Sequence, residues 1–165
     1  MWRNSGAVVG WLMYAYKNKF DAIVLLVDRD GEADREDEIS EAQDYNDQGK
    51  LQFPRAMGAA VEAFDAWIFA DEQALRKVLG VTIHTQPEPE SFRNPKEHLN
   101  KLVKGATGKT ADAKLYANVA HTINVDHLKK QCPRGFSEFA HRLEQLKRQL
   151  RLNRETPDAA TAQPA

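Results

Sequence analysis

With 165 residues, 42% of them hydrophobic and 28% charged, and a formal net charge of −1, the chain has the size and balance of one folded domain. Near-neutrality gives no whole-protein argument for nucleic acid, and the single cysteine, Cys132, excludes a disulfide framework or a cysteine-rich metal site. No stretch approaches the roughly 20 apolar residues of a membrane span, and the N-terminus lacks the pattern of a secretory signal, so a soluble cytoplasmic protein with no membrane partner is expected.

Val8, Val9, Leu12, Met13 and Tyr16 recur at helical spacing and predict an amphipathic helix over residues 7–19. Residues 22–27 are all apolar and run into Asp28-Arg29-Asp30-Gly31. A short apolar run rich in β-branched residues and closed by a turn reads as a buried parallel strand. Residues 34–48 are polar and predict an exposed helix ending near Gly49. Residues 52–61 form a weaker strand: Phe53, Met57 and Val61 are apolar, but Pro54 restricts the segment to an edge or a late start. One helix is predicted over 63–79, with Gly80 to stop it. Its apolar face holds Phe64, Trp67, Ile68 and Leu75, with Trp67 in the core and Asp71 on the exposed side.

Pro87, Pro89 and Pro95 make 86–95 a loop. Asn94 then serves as N-cap and Pro95 as first residue of a helix through Val103. Residues 111–123 are helical, and 135–152 carry Phe136, Phe139, Ala140, Leu143, Leu146 and Leu150 as an apolar stripe. The predicted domain is therefore 1–152, and 153–165, without apolar pattern, is a disordered tail. The class is α/β: a partial parallel sheet flanked by helices, with a helical C-terminal half.

Two strands are few for a parallel sheet, which needs covered faces and neighbours. The first helix also begins almost at Met1, as though the strand feeding it were absent. Either the chain is shortened there or a partner completes the sheet. An open edge beside 22–27 predicts a homodimer or a hetero-complex.

The candidate chemistry lies where the first strand ends. Ligands of open α/β sheets bind beyond the carboxyl ends of the strands, and residues two apart on an extended chain share a face. Asp28 and Asp30 can thus reach one hard cation, Mg²⁺ or Mn²⁺. The competing reading is structural: an Asp-Gly turn and acids suited to a helix start. Glu32 and Asp34 either extend the metal shell or are solvated turn residues, and Glu32 joins the candidate ligands. Glu62 ends the second strand, and Asp65 starts the following helix. Either could share the metal with Asp28 or orient water, against the plainer readings of a surface residue and a helix-start charge. The basic run Lys129, Lys130, Arg134, Arg142, Lys147, Arg148, Arg151 and Arg154 reads first as a solvated helix face and second as a phosphate-backbone contact.

Three signals carry no function. Residues 105–110, GATGKT, look like the end of a phosphate loop, but the motif needs Gly where Val103 stands and a strand before it. His84, His98, His121, His127 and His141 lack paired ligand spacing. Cys132, without a plausible local base, is a structural cysteine.

Four segments recur in a recognisable order: DAIVLLVDRDG at 21–31, GAAVEAFDAWIFAD at 58–71, PEPE with NPKEHL at 87–99, and CPRGFSEF at 132–139. Together they resemble a Toprim-like family of unknown function (the domain-of-unknown-function 4276 type), often found beside AAA-type ATPases of the OLD kind in bacterial genomes. The resemblance implies a central, mostly parallel sheet, a strand-end Asp-x-Asp on Mg²⁺, matched by Asp28 and Asp30, and a first-strand Glu as general acid or base. No strand before Ala7 supplies that Glu. The implied activity is Mg²⁺-dependent phosphodiester cleavage of nucleic acid, with an ATPase partner in anti-phage defence. The alternative is a catalytically impaired binding subunit of an ATPase-containing complex.

Overall fold

The computed structural model describes residues 5–29, 32, 34–45, 52–61, 64–82 and 88–155. In chain order these form α1 (Ser5–Lys17), β1 (Ile23–Asp28), α2 (Asp34–Asp44), β2 (Arg55–Ala60), α3 (Phe64–Phe69) and α4 (Glu72–Leu79). A 3-10 turn, Pro89–Ser91, precedes α5 (Pro95–Thr107), α6 (Ala113–Thr122), α7 (Val125–Gln131) and α8 (Phe136–Glu155). The fold is mixed α/β with a helical C-terminal half.

β1 and β2 pair in parallel, from Ile23 opposite Arg55 to Asp28 opposite Ala60. The period-two alternation of side chains sorts the sheet into two faces. Ile23, Leu25, Val27, Met57 and Ala59 meet Val8, Leu12 and Ala15 of α1 and Ile39 and Ala42 of α2. On the other face Leu26 and Ala60 join Trp67, Leu128, Cys132 and Phe136. Helix α8 crosses the same face so closely that a Cβ on Gly58 would lie 2.6 Å from the Phe139 ring. Only a glycine permits that approach.

The outer edge of β2 is closed by side chains. The Met57 amide donates to Gln43 Oε1 at 2.9 Å, and its carbonyl accepts from Arg142 Nη1 at 2.8 Å. Arg55, at the head of β2, reaches back to the end of α2, donating from Nε to the Gln43 carbonyl at 2.7 Å and from Nη2 to that of Tyr45. Those carbonyls belong to the helix end that lacks intrahelical partners. β1 is less covered. Past its first residue β2 is fully buried, whereas Val24 on β1 is 54% exposed.

Several expectations are corrected. The single helix expected over 63–79 is two, because Asp71 caps the second: its Oδ1 accepts from Ala74 N at 3.0 Å and its Oδ2 from Asn124 N at 2.8 Å. Asp71 is therefore buried, not exposed. The break divides the expected apolar face. Ile68 and Leu75 join Phe69, Leu99, Val103 and Val119 in a second helical cluster, while Trp67 is buried against Phe64 and Phe136. Asn94 precedes α5 in a left-handed conformation (φ 58°) and makes no side-chain cap bond. The helix runs past Val103 to Thr107, with Gly105 inside it and Gly108 (φ 72°) as its stop, so GATGKT forms no phosphate loop. Helix α7 was not expected; Asn124 starts it by accepting from His127 N at 3.0 Å. Helix α8 continues to Glu155, past the expected start of a tail, and residues 156–165 lie outside the described residues. Among the described residues no helix is long and apolar enough to cross a membrane.

Candidate functional site

The apolar content of β1 delivers Asp28 to the carboxyl end of the sheet, level with Ala60. One hydrogen bond beyond, Arg29 N donates to the Ala60 carbonyl at 3.0 Å, so the strands stay parallel up to the site. Asp28 Oδ1 accepts from the backbone N–H of Phe64 at 2.9 Å, across 36 residues of sequence. Phe64 is the first residue of α3, where N–H groups lack intrahelical acceptors, so the strand-end carboxylate fastens the helix start. The next residue is Asp65.

Asp65 is 6% exposed. A carboxylate so buried needs a donor, and it has one: the Tyr116 hydroxyl, from α6, donates to Asp65 Oδ1. The Tyr116 hydroxyl is pushed above its ordinary range by burial first, then by the bond to Asp65 and by the negative charges of Asp65 and Asp28. The Tyr116–Asp65 bond ties α6 to α3, and the Asp28–Phe64 bond ties β1 to the same helix. The sequence pointed to Asp28 and Asp65; Tyr116 it did not.

The other predicted site residues are distributed differently. Asp30 and Glu62 lie outside the described residues. Glu32 is exposed and pairs with Arg35 at 3.1 Å, and Asp34 is the exposed first residue of α2. Arg35 also donates to the Asp28 carbonyl, and Arg29 pairs with Glu36 at 2.8 Å. Two guanidinium groups from the segment after β1 therefore frame the strand end.

Asp28 and Asp65 offer oxygen donors only, the set preferred by a hard divalent cation. Mg²⁺ is commonly held by one or two carboxylates, with water and substrate phosphate completing about six positions. Among the described residues no group of three or more His, Cys, Asp or Glu converges on a metal position, so these side chains do not build an all-protein cage.

A further buried carboxylate, Glu90, is structural and was missed in the sequence. Glu90 accepts from Gly135 N at 2.7 Å, Phe136 N at 3.2 Å and Arg134 N at 2.9 Å, while Arg134 Nη2 donates to the Glu90 carbonyl at 2.9 Å. It fills the N-terminus of α8, where negative charge is favoured. A Cβ on Gly135 would meet Glu90 Oε1 at 2.8 Å and the Ala59 carbonyl at 2.9 Å. The start of α8 is thereby pressed against the end of β2. The signal was the acidic loop PEPE, which the sequence reading gave no role.

The basic run divides into two sets. Arg134 binds Glu90, Arg142 binds Met57 O and Glu138, and Lys129 pairs with Glu144 at 2.6 Å. Lys130, Lys147, Arg148 and Arg151 are exposed. Cys132 is buried, and burial with the nearby charge of Glu90 pushes its thiol up to about 12, so it is not a nucleophile at neutral pH.

Residues 9–144 match the family described as Domain of unknown function (DUF4276), and the chain belongs to that family. No curated protein and no solved structure matches it.

Proposed function

We propose that this chain is a Toprim-like subunit for metal-dependent phosphodiester cleavage of nucleic acid. The observation that supports it is the placement of Asp28 at the carboxyl end of a parallel strand, bonded to the residue that precedes buried Asp65. In this reading Asp28 and Asp65 hold Mg²⁺ or Mn²⁺, with Asp30 as a further ligand and Glu62 as the remaining carboxylate able to orient water. When bound, such a cation polarises the scissile phosphate and offsets the charge that develops on it. The chain's own residues fix the geometry: α3 and α6 hold the carboxylates, and the exposed Lys147, Arg148 and Arg151, in the later part of α8 away from the strand end, contact more distant backbone phosphates.

The resemblance to Toprim-like proteins adds the rest of the proposal: an ATPase partner of the AAA/OLD kind and a role in phage defence inside a bacterial cell. Assembly belongs to it too, as a homodimer or with a partner chain. Val24 on β1 and Phe20 before it are both more than half exposed, where a finished sheet would cover them.

A second reading is a binding subunit that has lost catalysis. It is favoured by the bonds that Asp28 and Asp65 already make to Phe64 and Tyr116, since a purely structural staple would make the same ones. Calorimetric titration with Mn²⁺ separates the two. The catalytic reading expects binding by the wild type and its loss in Asp28→Ala; equal affinity, or none in either protein, contradicts it.

A further inference from the structure

We propose that Tyr116 is a positioning residue of this site, its hydroxyl holding the Asp65 carboxylate in place next along the chain from the Phe64 N–H that Asp28 accepts. The inference rests on the metal-site reading above and adds to it a residue from α6, 51 positions away from Asp65 in the sequence.

The tyrosine is well anchored for that role. Helix α6 is fixed at its start by Asp112, whose side chain accepts from Leu115 N at 2.8 Å, and just beyond its end by Asp71, which accepts from Asn124 N. Val119, one turn on from Tyr116, is fully buried in the second helical cluster, and the Tyr116 ring packs against the same cluster. A phenol has only two side-chain torsions to immobilise, so its oxygen is delivered at a fixed point. Metal-binding carboxylates are in turn hydrogen-bonded by outer partners, whose loss commonly costs about 10- to 100-fold in metal affinity. Asp65 has one carboxylate oxygen engaged by Tyr116, and the charge of Asp28 reaches the same hydroxyl. A tyrosine needed only for packing would have no reason to set its hydroxyl on the buried Asp65 carboxylate; a phenylalanine would fill the space as well.

The test is Mn²⁺ affinity of the full chain, measured by calorimetry for the wild type, Tyr116→Phe, Asp65→Asn and the double variant. Tyr116→Phe should weaken Mn²⁺ binding by about tenfold or more, and the same substitution should change affinity less than twofold once Asp65 is Asn. Unchanged affinity in Tyr116→Phe, with Asp28→Ala still abolishing binding, overturns the role of Tyr116 and leaves the metal site standing. An equal loss in both backgrounds means a general structural effect and overturns it as well. Failure of the wild type to bind Mn²⁺ overturns the metal reading and this inference with it. A measurement that needs no destabilising variant runs beside these: 3-fluorotyrosine at position 116 should lose its ¹⁹F signal to paramagnetic broadening at substoichiometric Mn²⁺, and a sharp signal overturns the proposal.

Discussion

The two halves of this molecule are held in different ways. Helices α4, α5 and α6 are bounded mostly by their neighbours in sequence: Asp71 caps Ala74, Asp112 caps Leu115, and Gly80 and Gly108 stop α4 and α5, with Asp71–Asn124 and Tyr116–Asp65 as the longer links. The α/β half is held by polar side chains that reach far along the chain. Asp28 fastens α3, Arg55 fastens α2, Arg142 closes the edge of β2, and Glu90 fills the start of α8. Local caps trim helices that burial already favours. Long-range staples decide where elements sit relative to one another, and here they run along the sheet from Arg55 at the head of β2 to Asp28 and Glu90 at the strand ends.

The contrast sets an order of expected effects. Glu90→Ala should be the most damaging, because it leaves three backbone N–H groups at the start of α8 without an acceptor, each costing about 1–3 kcal/mol. Chemical denaturation should show a loss of at least ~3 kcal/mol; a loss under about 1 kcal/mol would remove Glu90 from the set of staples. Gly58→Ala should follow, at about 1–3 kcal/mol of overpacking against Phe139, unless α8 shifts outward, which crystallography of the variant would reveal. Asp112→Ala should cost only ~1 kcal/mol, the ordinary value of a local cap. Were it to exceed Glu90→Ala, the contrast between the halves would be wrong.

Alkaline pH gives a gentler probe. The folded chain holds the Cys132 thiol protonated up to about 12, against an ordinary value near 9. The unfolded chain releases that proton earlier, so this contribution is complete below about pH 9 and is lost as pH rises toward 12. Tyr116, also raised, acts in the same direction from about pH 10 upward. Cys132→Ala should be less stable at neutral pH yet lose stability less steeply between pH 9 and 12. An unchanged slope would mean that the thiol is not held as described.

The same contrast explains what the sequence could show. β1 and Asp28 were legible because six apolar residues in a row leave few alternatives to a buried strand, and the stripe of α8 because its period is unambiguous. The break between α3 and α4 was missed because 63–79 is continuous in helical pattern. Asp71, three places before Ala74, carried a readable cap, and only its second bond, from Asn124 N, joins residues 53 apart. Helix α7 was missed for its length, seven residues, although Asn124 three places before His127 carried a readable cap. Of the site, Asp28 and Asp65 could be named from their positions after a strand and at a helix start. Tyr116 could not, since nothing local distinguishes it from any tyrosine on an amphipathic helix; only the packing of α6 brings it to Asp65.

The measurement that bears most directly on the proposed function is cleavage itself. The full chain, as wild type and as Asp28→Asn, is incubated with end-labelled single- and double-stranded DNA and RNA, in Mn²⁺ and in chelator. The account expects metal-dependent cleavage by the wild type. It expects that cleavage to be abolished by chelator and to fall at least ~100-fold in Asp28→Asn. Cleavage at the same rate in both proteins, or cleavage that survives chelator, would contradict a metal-dependent centre at the end of β1.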